Sequence, residues 1–416
     1  MSLAERAEAK PSVGRTPGER GYRRGEPGYR DITLALFAAG MATFVAMYAA
    51  QAVLPDLTSD FSVGPATAAL AVSATTGFVA FAIIPGSALS ERFGRVRVMA
   101  IAALASALLG CLVPLAPSME VLIVLRALQG IALAGVPATA MAYLAEEVDS
   151  EHLGGAMGKY IAGNTIGGLS GRLLASLVLD HASWRIALEV VAFAALAFTG
   201  LFLWRAPKSR FFRPSPVGFR STTGNLLGHL GNARLVALYL TAFLLMGGFV
   251  AVYNMLGFRL LAEPFGLPKS IAGLVFMLYL AGTVSSAWAG QLADRLGRKQ
   301  VMVAGEVLTL GGLLLTLPGS LPFVIVGVAL FTAGFFAAHS VASSWVGAIA
   351  TEHRAEASAL YLFSYYAGSS VLGACSGLFF TSAGWNGVVT YVGVLCAAAI
   401  ALAALMPLLR RRRATP

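Results

Sequence analysis

Twelve apolar runs, each near the length of a membrane-crossing helix, divide most of this 416-residue sequence among themselves. A bilayer core of roughly 30 Å takes about 20 apolar residues in a helix. The runs fall at 32–54, 67–89, 98–116, 120–145, 156–179 and 184–204, then at 234–262, 270–293, 300–317, 321–348, 357–380 and 386–409. With 57% hydrophobic residues, 12% charged residues and a mean hydropathy of +0.75, the chain carries more apolar surface than one soluble core could hide. In lipid every backbone N–H and C=O must be paired inside its own segment, so the expected fold class is an all-α membrane protein of twelve transmembrane helices. The 46 glycines, many of them inside these runs, suit helices that pack backbone to backbone. Little length remains for a large soluble domain.

A short charged string repeats within this pattern. Leu89-Ser90-Glu91-Arg92-Phe93-Gly94-Arg95 returns as Leu292-Ala293-Asp294-Arg295-Leu296-Gly297-Arg298-Lys299, an offset of 203 residues, each time just after the second run of six. Such repetition predicts two pseudo-symmetric six-helix halves, 32–204 and 234–409. The polar stretch 205–233 contains Arg210-Phe-Phe-Arg-Pro-Ser-Pro216 and reads as a linker that can carry a surface-lying helix. Residues 1–31 and 410–416 read as basic tails, the first of them disordered.

The net charge of +10 raises nucleic acid as a partner, and the placement of the basic residues excludes it. Twenty-four of the 30 Lys and Arg residues fall in the segments that share one side of the membrane if the N-terminus is cytoplasmic. That is the positive-inside bias, and it puts both termini of a multi-pass membrane protein in the cytoplasm. The partner it implies is the lipid bilayer. Residues 1–30 show no apolar stretch or small-residue cleavage site, so no cleavable signal peptide is expected. Cys111, Cys375 and Cys396 lie within apolar runs, far apart in sequence, and read as packing residues rather than metal ligands. Neither metal nor cofactor is expected.

Six spans, a basic linker and six more spans, with a charged turn after the second span of each half, resemble the major facilitator superfamily. The segment Gly290-Gln-Leu-Ala-Asp-Arg-Leu-Gly-Arg-Lys299 matches that superfamily's loop signature at each defining position. The first copy departs from it: Ser87 stands where the signature has Gly, Glu91 replaces Asp, and Val96 replaces the last basic residue. Further likeness runs through Gly163-Asn-Thr-Ile-Gly-Gly-Leu-Ser-Gly-Arg172, Phe335-Phe-Ala-Ala-His-Ser-Val-Ala-Ser-Ser-Trp345 and Tyr361-Leu-Phe-Ser-Tyr-Tyr-Ala-Gly-Ser-Ser370. These resemble inner-membrane transporters of the YnfM type, near the drug and proton antiporters. The resemblance implies a monomeric secondary transporter that moves a small-molecule substrate by alternating access, with protons as the coupling partner. Efflux is the first expectation; the alternatives are proton-linked uptake of a small organic solute and a transport-dead receptor. The fifth span has Gly168 and Arg172 where the antiporter signature has Pro and Gly, which weakens the case for antiport.

Single residues can be weighed against that frame. The turns would act as cytoplasmic latches, with Glu91 facing Arg92 and Arg95, and Asp294 facing Arg295 and Arg298; the bland alternative is topogenic charge alone. Arg126, inside the fourth span, matches the family's Arg-x-x-x-Gly signature and implies proton coupling, against the alternative of a structural ion pair. A charge there costs roughly 2.5 to 3.5 kcal/mol on insertion scales, so it needs a cavity or an acid beside it. The first span, 32–55, holds no acid, so Asp56 at its outer end stands in as the proton carrier, while Glu306 reads as a latch partner. His339 in the tenth span suits a proton relay or a substrate contact, and equally a buried histidine bonded to backbone. Helical spacing places Ser343 one turn from it. Tyr48, Gln51, Asn164, Tyr253, Asn254, Tyr361 and Tyr365 complete a candidate cavity, aromatic and hydrogen-bonding, fitted to a small amphipathic or weakly anionic molecule. No nucleophile, base and orienting acid converge for catalysis, and Gly158-Lys159 lacks the glycine spacing of a phosphate-binding loop, so an enzyme and a primary pump are both excluded.

Overall fold

The computed structural model describes residues 20–214 and 219–406. The first part of the expected N-terminal tail, the middle of the linker and the terminal run Arg410 to Arg413 lie outside the described residues.

The chain is helical from end to end of its described segments. The first half comprises α1 (Pro27–Tyr48), α2 (Ala50–Asp60), α3 (Pro65–Phe93), α4 (Arg95–Leu112), α5 (Met119–Leu133), α6 (Pro137–Glu147), α7 (Ser150–Val178) and α8 (Trp184–Arg205). A short α9 (Phe219–Leu230) lies in the linker. The second half holds α10 (Ala233–Leu261), α11 (Lys269–Gly273), α12 (Tyr279–Leu296), α13 (Arg298–Leu315), α14 (Leu321–Ile349) and α15 (Arg354–Leu405). Several spans are helices joined in line: α1 with α2, α5 with α6, and α11 with α12 through a 3-10 turn at Leu274–Leu278. The 52-residue α15 contains two spans, because Ala383 and Gly384 leave helical geometry, Gly384 with φ 56°. Together these make the twelve transmembrane spans. Large apolar side chains such as Phe81, Leu115, Trp204 and Trp288 cover the outer wall, where lipid rather than water meets them.

Both charged turns adopt one geometry. Gly94 ends α3 with φ 101° and ψ 142°, and Gly297 ends α12 with φ 95° and ψ 143°. An L side chain is strained at such φ values, so glycine at these two places is a backbone requirement of the sharp reversal into the next helix.

Two boundaries differ from the sequence expectation. The first span runs past Pro55 to Asp60 without stopping. Residues 22–31, expected in the tail, are held against the bundle. Tyr22 donates its N–H to the Glu147 carbonyl at 2.8 Å and accepts from Asp149 at 3.0 Å, and α1 starts at Pro27.

Within the first half α1 packs on α7 and α8, and α3 on α5; within the second, α10 packs on α15 and α13 on α14. Glycine makes the tightest crossing possible. A Cβ at Gly163 would lie 2.5 Å from the Phe37 carbonyl oxygen, and one at Gly167 would lie 2.8 Å from the Met41 backbone. The halves meet through α3 with α15, α2 with α10, and α7 with α11.

Candidate functional site

The contacts between halves are concentrated at the end of the bundle away from the charged turns. There Lys269 pairs with Asp56, and the backbone N–H of Ser270 donates to Asp180 at 3.2 Å. Gly377 sits against Ala66, and Gly273 against Ser176, with no room for side chains between them. One layer deeper, Gln51 Nε2 donates to Asn254 Oδ1 at 2.9 Å, and Ser370 Oγ donates to the Ser73 carbonyl at 2.7 Å. Asp180 lies outside the spans. Hydrogen bonds from Ser270 hold its carboxyl below the ordinary carboxylate range.

Below this seal lies a cavity of about 430 Å³ between the halves. Of the expected substrate residues, Tyr48, Asn164, His339, Ser343 and Tyr365 line it. Gln51, Tyr253, Asn254 and Tyr361 stand behind the wall instead. Gln51 and Asn254 belong to the seal, and the Tyr253 hydroxyl is hydrogen-bonded with Thr332 Oγ1 at 2.8 Å. Tyr361 is hydrogen-bonded through its hydroxyl with His339 Nδ1 at 2.9 Å, and its ring stacks on that imidazole, so it positions a residue that reaches the cavity.

The proton-coupling candidates are dispersed. Arg126 does not reach the cavity and has no acid beside it among the described residues. Its nitrogens donate to the Ala71, Ala46 and Met47 carbonyls at 2.8, 3.0 and 2.6 Å, and to Gln129 Oε1 at 2.5 Å. The structural ion pair offered as its alternative is therefore replaced by neutral carbonyls, which satisfy the guanidinium without a counter-charge. Asp56 is committed to Lys269 across the halves. Glu306 is not a latch partner here: it is 0% exposed on α13, and neither carboxyl oxygen has a hydrogen-bond partner among the described residues.

At the charged turns, Arg95 donates to Glu146 at 2.8 Å and to Ser90 Oγ at 2.7 Å, so its partner is in its own half and is not Glu91. Arg92 lies over the Phe93 ring, while Asp294 and Arg295 are exposed and Arg298 is half-buried. No ion pair joins Glu91 or Asp294 to a described residue. Asp149, Glu151 and His152 bring ligand atoms within 4.8 Å of one another at the start of α7. Asp149 is the cap of that helix and pairs with Arg23, which accounts for its charge without an ion.

Sequence reasoning missed the central residue of the cavity. Arg172 on α7 is 2% exposed, and its guanidinium lies 4.7 Å from the Tyr48 ring centre and 4.6 Å from that of Tyr279. It donates to Gln51 Oε1 at 2.7 Å, to the Gly168 carbonyl at 2.6 Å and to the Tyr279 hydroxyl at 3.2 Å. The signal was present, since Arg172 is an ionisable residue inside an apolar run and deserved the same weight as Arg126. In the sequence it stands out only as a departure from a glycine pattern. Tyr160, Phe249, Phe336 and Tyr366 also line the cavity, and nothing in their spacing separates them from packing aromatics.

Known proteins with this architecture carry molecules across membranes. The chain is 41% identical over 367 residues to the uncharacterised transporter YybF of Bacillus subtilis, covering 88% of this chain and 91% of that one. It is also 41% identical over 379 residues to the inner membrane transport protein YnfM of Escherichia coli, covering 91% of each. Its fold matches a crystal structure of a bacterial homologue of the human lysosomal transporter Spinster, inward-facing and occupied, with a TM-score of 0.76 at 15% identity over 94% of this chain and all of that one. The chain is accordingly a multi-pass membrane transporter and not an enzyme. The sequence profile described as Major Facilitator Superfamily matches residues 36–259 and again 238–416, and the chain belongs to that superfamily.

Proposed function

We propose that this transporter exports a small organic molecule across the inner membrane in exchange for entering protons, by alternating access between its two halves. The observation that carries the reading is the place of the cavity, between halves whose direct bonds lie at one end of the bundle. The basic residues favour a cytoplasmic location for the other end. On that reading the structure is inward-facing, and rocking the halves about the cavity would present the same site to the opposite side.

Proton exchange is supported by three residues of the second half. His339 faces the cavity, Tyr361 is bonded to its ring, and Glu306 is buried on α13 beside Gly305, whose backbone crosses α14 at Ala338 next to His339. A carboxylate at Glu306 would stand in a low-dielectric surrounding with no hydrogen bond, at a cost of several kcal/mol. The neutral acid fits the site as built. The route from cavity to acid through His339 and Tyr361 replaces Arg126 and Asp56 as the proposed proton path.

The test is proton flux in proteoliposomes that hold an interior pH dye, with a panel of organic solutes imposed as gradients. A transported solute should drive protons the opposite way, and Glu306→Gln should abolish that flux while leaving solute counterflow. Protons moving with the solute would establish uptake instead. Solute movement without protons would remove the coupling.

A further inference from the structure

Arg172 is the only Lys, Arg, Asp or Glu among the described residues lining the central cavity, and no described acid pairs with it. A buried arginine in a membrane protein ordinarily finds a carboxylate, because an unanswered charge away from water is costly. Here its acceptors are an amide, a carbonyl and a phenol. Those bonds use one N–H on each nitrogen. Each terminal nitrogen carries a second N–H that these bonds do not use, donor capacity that a carboxylate can take up.

We propose that Arg172 binds the carboxylate of the transported molecule, and that the site selects small planar monocarboxylates, aromatic or conjugated acids. This deepens the transporter reading above and rests on it. Four observations set the class. A single fixed positive charge in the lining balances one negative charge, not two. The ring centres of Tyr48, Phe276 and Tyr279 lie 4.7, 5.3 and 4.6 Å from the guanidinium, so an anion bound to it would meet aromatic rings beside the charge. The rest of the lining is largely aromatic, with Phe249, Phe336 and Tyr365 offering flat apolar faces, while Asn164 and His339 supply the polar contacts. A volume of about 430 Å³ suits a molecule of one or two rings.

Arg172 also ties ligand to conformation. Its Nε holds Gln51, which bonds Asn254 of the other half, and its Nη2 bonds Tyr279, also of the other half. An anion that draws the guanidinium toward the cavity centre competes with the bonds that keep the far end sealed.

The test uses the intact protein in lipid nanodiscs and the equilibrium binding of radiolabelled cinnamate, with benzoate, sorbate, fumarate, cinnamamide and benzyltrimethylammonium as competitors. Cinnamate, benzoate and sorbate should bind. The neutral amide and the cation should compete at least about tenfold more weakly, the loss expected when a charge-assisted bidentate pair is removed, and fumarate should do so because its second carboxylate finds no positive charge in the lining. Arg172→Lys keeps the charge without the fork and should weaken cinnamate about tenfold; Arg172→Met should abolish binding. Should Arg172→Met fail to fold, the lysine variant and the acid-to-amide ratio of the unaltered protein decide the matter. Equal binding of acid and amide, no binding of any monocarboxylate, or unchanged affinity in Arg172→Lys overturns the proposal. Proton flux separates the two readings. A neutral or cationic solute that drives protons while the acids do not bind leaves the transporter reading standing without the carboxylate site. Cinnamate that binds through Arg172 without driving protons leaves the site standing without the coupling.

Discussion

Arg126 and Arg172 lie in the same half, both almost wholly buried, and they spend their charges differently. Arg126 uses all three nitrogens to hold the carbonyls of Ala46, Met47 and Ala71, two of which belong to the end of α1 where it passes into α2. It fastens three helices. Replacing it with methionine strips those carbonyls of a donor in a place water does not reach, and each loss costs about 1 to 3 kcal/mol. Arg126→Met should therefore lower the midpoint of thermal unfolding in detergent, and Arg126→Lys should recover only part of the loss; an unchanged midpoint would argue that the residue acts in coupling rather than in holding the fold. The sequence made Arg126 visible because a family signature surrounds it. Arg172 carries no such signature, and its meaning depends on Tyr48 and Tyr279, which lie 124 and 107 positions away in the chain. Proximity of that kind is a product of tertiary packing and has no trace in local spacing.

At the scale of helices, the apolar runs were legible to within several residues, because lipid imposes one length and one hydrogen-bonding scheme on every span. The exceptions are places where tertiary contact decides. The α2 helix continues through Pro55 with Asp56 paired to Lys269 of the second half and Asp60, at its end, held by Trp184 and Arg185 of its own half. This end of the bundle has a predictable response to acid. With Asp180 held below the usual carboxylate range by Ser270, the bond favours closure while the group is ionised in both states. That contribution is lost as pH falls from about 4 through the depressed value. Spin labels at Ser59→Cys and Glu263→Cys should report a constant separation from neutral pH down to about 5, then a widening in more acidic buffer. Asp180→Asn should remove the acid-dependent part; a widening that survives in this variant would point to another group.

Over the whole molecule, the duplication was the most legible property of all, and the state of the machine was the least. Glu91 and Asp294 stand at matching turns, and neither forms an ion pair among the described residues; we propose that they act as latches when the charged-turn end closes. The copies are unequal in sequence, the second keeping the glycine and the final basic residue that the first has lost. Asp294→Asn should accordingly reduce the initial rate of solute counterflow more than Glu91→Gln does. Equal or reversed effects would remove that asymmetry from the mechanism.

The bond between Gln51 and Asn254 joins residues 203 positions apart, the same interval that separates Glu91 from Asp294 and Gly94 from Gly297. Each partner is thus the other's counterpart under the internal symmetry, and the bond falls where the two copies of one ancestral position meet face to face. A side-chain amide is suited to such a place, because it carries both donor and acceptor and can pair with its own kind. Gln51, longer by one methylene, reaches Arg172 as well as Asn254, so a contact between equivalent positions joins the cavity lining to the seal.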